Sequence, residues 1–122
     1  MNMHDSAPSV GVVGATGYTG LEVLRVLAGH PGVRVRFATS EGSAGAPSGL
    51  PGLPLVSAAD APLDGAELVF LCLPHSKALE WAERARAAGV RVVDLTADHR
   101  PGSGREAGWV YGMADLAAAD IA

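Results

Sequence analysis

Residues Val10–Leu24 read VGVVGATGYTGLEVL, with glycines at 14, 17 and 20 between an apolar run and a segment of helical periodicity. Val10, Val12 and Val13 make a short, nearly continuous apolar strand, and Leu21, Val23, Leu24, Val26 and Leu27 then recur at helical spacing. Gly29 and Pro31 supply the stop for that helix. Val33–Ala38, VRVRFA, at first alternates apolar and charged residues as a strand does. Strand, glycine loop, helix and strand together have the length of a βαβ crossover, about 30 residues.

Working outward, Thr39–Pro54 has no periodicity and reads as a long loop. Glu67–Leu73, ELVFLCL, reads as a buried strand. Lys77–Ala88 reads as a helix with Leu79, Ala82 and Ala85 inward, closed by Gly89, and Val90–Asp94 as a further strand. Alternating strands and helices predict an α/β fold, a Rossmann-like doubly wound parallel sheet with helices on both faces and ligands at the carboxyl ends of the strands. Residues 1–8 read as a flexible tail, and 9–122 as one dinucleotide-binding domain.

Composition narrows the function classes. With 122 residues and a formal charge of −4, the nine cations being eight Arg and the single Lys77, the chain shows no basic stripe, which argues against nucleic acid. No apolar run reaches the roughly 18 residues of a membrane helix. One cysteine, Cys72, and a polar amino terminus lead us to expect a cytoplasmic protein.

The glycine loop is the chemical signal. Without side chains at Gly14 and Gly17 the backbone turns sharply and comes close to a pyrophosphate, whose charge is met by amides at the helix amino terminus. Thr16, Tyr18 and Thr19 add hydroxyl donors. The spacing is GxxGxxG rather than the usual GxGxxG, so a purely structural turn is the alternative; the strand before and the helix after favour the nucleotide. Thr39, Ser40 and Glu41, at the end of the second strand, should discriminate between cofactors. A carboxylate at Glu41 would bind the ribose hydroxyls of NAD, the hydroxyls of Thr39 and Ser40 would suit the 2′-phosphate of NADP, and a solvated loop glutamate is the neutral reading.

Three later stretches, CLPHS at Cys72–Ser76, VVDLTADHR at Val92–Arg100 and WVYGMADL at Trp109–Leu116, follow GATGYTG in an order that resembles the amino-terminal dinucleotide domain of the N-acetyl-gamma-glutamyl-phosphate reductases, within the aspartate-semialdehyde dehydrogenase superfamily. The resemblance implies NADPH-dependent reduction of a small-molecule acyl phosphate to a semialdehyde through a cysteine thioester, in the arginine pathway and by a homo-oligomer. It also implies that the Leu73, Pro74 and His75 backbone lines the cofactor, a histidine on a surface turn being the alternative for His75. A related aminoadipyl-phosphate reductase of lysine synthesis, and a stand-alone nucleotide-binding module, are the alternatives. NADP is the cofactor that the resemblance favours, and Glu41 keeps NAD open.

The family's nucleophile lies in a segment resembling NPGCYPT, beyond the VYG region, that these 122 residues do not contain. Cys72 sits in a very apolar run, where burial would hold its thiol neutral and inert. We therefore expect no catalytic residue and no metal ligand in this chain, and no turnover by the chain alone. Asp94, Asp98 and Arg100 read as a polar network that fixes a loop, and Trp81, Trp109 and Tyr111 as packing.

Overall fold

The computed structural model describes residues 7–73, 77–96 and 108–109. The first strand, β1 (Ser9–Val13), is buried at all five positions, as the apolar run of a central parallel strand requires. Helix α1 (Tyr18–Ala28) and strand β2 (Arg34–Thr39) complete the crossover. Two 3₁₀ turns, Ala58–Asp60 and Leu63–Gly65, precede β3 (Leu68–Leu71), α2 (Ala78–Ala87) and β4 (Arg91–Asp94). The four strands pair in parallel, in the order β2-β1-β3-β4. The chain reverses direction across β1, which creates a switch point at the carboxyl ends of β1 and β3.

The two faces of the sheet carry separate cores. Val10 and Val12 pack with Leu24 and Leu27 of α1, whereas Val13, Val69 and Leu71 pack with Ala78, Trp81, Ala82 and Ala85 of α2. The expected doubly wound arrangement is thus present, with one helix on each face among the described residues. Val12, Val13, Val69 and Leu71 are fully buried, and each such side chain contributes roughly 1.5–3 kcal/mol of transfer free energy.

The alternation expected over VRVRFA fails at one point. Val10 pairs with Val35 but Gly11 pairs with Phe37, so Arg36 is an extra residue in the ladder. This bulge turns Phe37 to the α2 side, while Val35 and Ala38 lie on the α1 side. The Phe37 ring then lies over Gly11, where a Cβ would stand 2.2 Å from Cζ. Gly11 is glycine because an aromatic ring occupies its side-chain space.

Two further expectations need correction. On α2 the inward stripe is Ala78, Trp81, Ala82 and Ala85, and Leu79 is 39% exposed, about 100° round the helix from Ala78. Thr39, expected to open the loop, is the last residue of β2; from residue 40 to 54 there is no strand or helix, yet the segment is not merely a spacer. Gly45 N–H donates to Leu55 O (2.7 Å) and Leu55 N–H to Ala46 O (2.8 Å), and this fold-back presses Leu50, Leu53 and Leu55 onto the α1-side core. Pro8, placed in the tail from sequence, already accepts a hydrogen bond from Arg34 N–H (2.9 Å), and residues 1–6 lie outside the described residues. Among the described residues no helix is long and apolar enough to cross a membrane.

Candidate functional site

The three glycines of the first loop differ in what the fold asks of them. Gly14 leaves β1 at φ +84°, a left-handed conformation, and a Cβ there would stand 2.8 Å from the carbonyl oxygen of Cys72. Gly20, in the first turn of α1, packs so closely against the loop that a Cβ would lie 2.1 Å from Gly14 O and 2.8 Å from Ala15 Cα. Gly17 differs: its backbone is extended (φ −77°, ψ 172°), and nothing lies within 4 Å of the Cβ position. The protein itself makes no demand for glycine there.

The end of β2 holds this loop in place. Gly14 N–H donates to Thr39 Oγ1 (3.1 Å) and Ala15 N–H to Thr39 O (2.8 Å), while the hydroxyls of Thr16 and Ser40 lie 3.2 Å apart. Thr39 and Ser40 are almost fully buried. The first exposed side chain past β2 is Glu41, whose Oε1 accepts a hydrogen bond from Ala58 N–H (2.6 Å), at the start of a 3₁₀ turn.

Gly17 occupies the N-cap position of α1; no side chain caps the helix and no acidic residue lies in its first turn. The first helical bond runs from Leu21 N–H to Gly17 O (2.9 Å), so the amides before Leu21 have no acceptor inside the helix and carry its positive dipole end. They open onto a cavity of about 830 Å³ at the switch point. Its lining brings together Gly14, Thr16, Gly17, Tyr18, Thr19, Thr39, Ser40 and Leu73, all singled out from sequence, and Glu41 beside them. Pro74 and His75 lie outside the described residues, as do Asp98, Arg100 and Tyr111.

Sequence reasoning missed the far wall, which α2 supplies. Lys77, at the helix N-cap, Glu80 and Trp81 line the cavity, with Ala58 and Gly42 contributed by the β2–β3 connection. Trp81 is a core residue, as read, and has the Arg84 guanidinium 4.6 Å from its ring centroid. The available signal was Lys77 itself, the one lysine of the chain, placed directly after CLPHS where a helix begins.

Cys72 is not within a strand. β3 ends at Leu71, and Cys72 N–H still donates to Val13 O (2.8 Å), but its half-buried side chain packs on the α1-side core at the cavity wall. Burial, with a smaller effect from the Asp94 carboxylate, pushes the thiol up to about 11. A neutral thiol is a poor nucleophile, so the cavity offers binding groups and no sulfur nucleophile among its described residues.

The pattern agrees with known proteins. Residues 9–122 match the family model described as semialdehyde dehydrogenase, NAD binding domain. N-acetyl-gamma-glutamyl-phosphate reductase of Neisseria meningitidis is 46% identical over 75% of this chain and 28% of its own length, and that of Moorella thermoacetica is 42% identical over 74% and 29%. The chain thus spans less than a third of the length of these curated relatives. Among solved structures, aspartate semialdehyde dehydrogenase II of Vibrio cholerae superposes with a TM-score of 0.71 at 26% identity, over 79% of this chain and 30% of that one. With a family model matched across nearly its whole length and a parallel sheet of the same build, the chain belongs to the NAD-binding domain family of the semialdehyde dehydrogenases.

Proposed function

We propose that the cavity binds the pyrophosphate and adenosine portion of a nicotinamide dinucleotide, and that the chain serves as the cofactor domain of an N-acetyl-gamma-glutamyl-phosphate reductase. The observation that carries this reading is Gly17. Its missing side chain relieves no contact within the protein, and the space left free lies in the cavity, beside the uncapped amino terminus of α1. A phosphate fits both features, since it needs backbone approach and amide donors. Gly14, Thr16, Gly17, Tyr18 and Thr19 hold the phosphates in this reading. Thr39, Ser40 and Glu41 border the adenosine ribose, and Leu73, Pro74 and His75 run beside the rest of the dinucleotide.

When bound, the dinucleotide supplies a hydride. The chain's own part is to orient the cofactor and to keep Cys72 neutral, so that it does not compete with a dedicated nucleophile. Resemblance puts NADP first as the cofactor, in an enzyme that reduces an acyl phosphate to a semialdehyde in a cytoplasmic pathway. The carboxylate of Glu41 argues for NAD. Titration of the purified chain with NAD and with NADP, followed by the fluorescence of Trp81 at the cavity wall and by calorimetry, tests the dinucleotide reading. Saturable binding of either is the expected result, and no binding of either by a folded sample at millimolar concentration overturns it.

A further inference from the structure

Cofactor choice turns on what surrounds the ribose at the end of β2. A 2′-phosphate adds a dianion there and needs amide donors or a cation to receive it. The structure supplies the opposite. Glu41 is the first exposed side chain after β2, it lines the cavity, and its Oε1 is held by Ala58 N–H at 2.6 Å. That bond has two effects. It favours the carboxylate position beside Ala58 over the others open to an exposed glutamate, and it takes up the amide at the start of the 3₁₀ turn that a phosphate would otherwise use. Among the described residues Oε2 has no hydrogen-bond partner, which leaves one carboxylate oxygen to accept from a ribose diol. The charged side chains on the described lining are Glu41, Glu80 and Lys77, with no arginine, so their sum is negative.

We infer that Glu41, fixed by the Ala58 amide, is the specificity-determining residue of this cavity and selects NAD over NADP; the inference rests on the dinucleotide reading. A ribose with a free 2′-hydroxyl donates to Glu41, whereas a 2′-phosphate meets a like charge that must give up its bond to the Ala58 amide to move away.

Dissociation constants for NAD and NADP, and for AMP against adenosine 2′,5′-bisphosphate, would be measured on the chain and on three variants. Wild type is expected to favour NAD over NADP by about tenfold or more, because a like-charge contact in a partly desolvated site is costly. Glu41→Gln, which keeps an oxygen acceptor for the Ala58 amide, should bring the two to within about threefold, and Glu41→Arg should reverse the order. Ala58→Pro removes the anchoring N–H at the first position of a helical turn, where proline is tolerated, after Ser57 in an extended conformation that suits it (φ −76°, ψ 166°). It should shrink the preference for NAD over NADP, read as the ratio of the two dissociation constants on that same variant. Thermal melts of each variant check the fold. Wild type that binds NADP as tightly as NAD, or a folded Glu41→Gln with an unchanged ratio, overturns the inference while the dinucleotide reading stands. Binding of none of the four ligands overturns both.

Discussion

One methyl group, added at either of two glycines three residues apart, should separate folding from binding. At Gly20 the new Cβ would lie 2.1 Å from Gly14 O and 2.8 Å from Ala15 Cα. Both are backbone atoms, so no rotamer change relieves the clash and α1 must move by about an ångström. Overpacking of this kind costs about 1–3 kcal/mol, and the backbone contact places it at the upper end. Replacing a helical glycine by alanine returns at most about 1 kcal/mol. Gly20→Ala should therefore destabilise the fold by about 2 kcal/mol, roughly a 30-fold change in the folding constant. At Gly17 the Cβ meets nothing within 4 Å and the backbone is not left-handed. Reduced unfolded-state entropy stabilises by about 0.4–1 kcal/mol, and the poorer N-cap offsets it, so stability should stay within about 0.5 kcal/mol of wild type. The same methyl stands where the phosphate has to approach, and Gly17→Ala should weaken dinucleotide binding by about 30-fold or more, as overpacking of a bound ligand would. Urea unfolding followed by far-ultraviolet circular dichroism gives the first quantity, and quenching of tryptophan fluorescence gives the second. Gly17→Ala that binds as wild type does would refute the phosphate role, and Gly20→Ala of unchanged stability would refute the close packing of helix on loop.

Three further outcomes follow from the geometry of β1 and of Cys72, just past β3. Gly11→Ala should destabilise by about 1–3 kcal/mol, because its Cβ would stand 2.2 Å from the Phe37 ring, and Phe37→Leu in the same chain should recover part of the loss; chemical denaturation measures both. Cys72, with its thiol pushed up to about 11, is protonated in the folded chain at neutral pH, so its contribution to stability is present below the ordinary thiol value and is lost as pH rises towards 11. Iodoacetamide should label it at pH 8 about 100-fold more slowly than a free thiol, with a rate that climbs until about pH 11; the chain with N-acetyl-glutamyl phosphate should show no loss of nicotinamide absorbance with either NADH or NADPH, and turnover abolished by Cys72→Ser would disprove both.

The legible part of the sequence was the part governed by local chemistry. A strand, a glycine loop and a helix within one short unit announced the parallel sheet, and the hydroxyl and glycine positions around it do line one cavity. Contacts made across the sheet were hidden. VRVRFA carries no mark of the bulge at Arg36, because the turn of Phe37 to the other face depends on the space that Gly11 leaves on a neighbouring strand. Leu79 outranks Ala78 in hydropathy, yet the inward stripe of α2 is set by Trp81, whose ring needs the room that small neighbours provide. Lys77 and Glu80 reach the cavity only once α2 is docked, and the engagement of Glu41 with Ala58 joins residues whose pairing no periodicity signals.

The strand order also has a consequence for how the chain is made. Central strand β1 pairs on one edge with β2, which follows after a single helix, and on the other with β3, which follows only after the irregular stretch and its two 3₁₀ turns. On a ribosome that emits about 5–20 residues per second, the β1–α1–β2 unit is complete roughly 2–6 s before β3 emerges. For that interval one edge of β1 presents unpaired amides and carbonyls to other nascent chains, the condition that invites edge-to-edge association. Gly11 stands in the middle of that edge, and a residue with no side chain and poor strand propensity makes it a weak template for a stranger. The glycine that makes room for Phe37 in the finished sheet thus also lowers the hazard of the unfinished one.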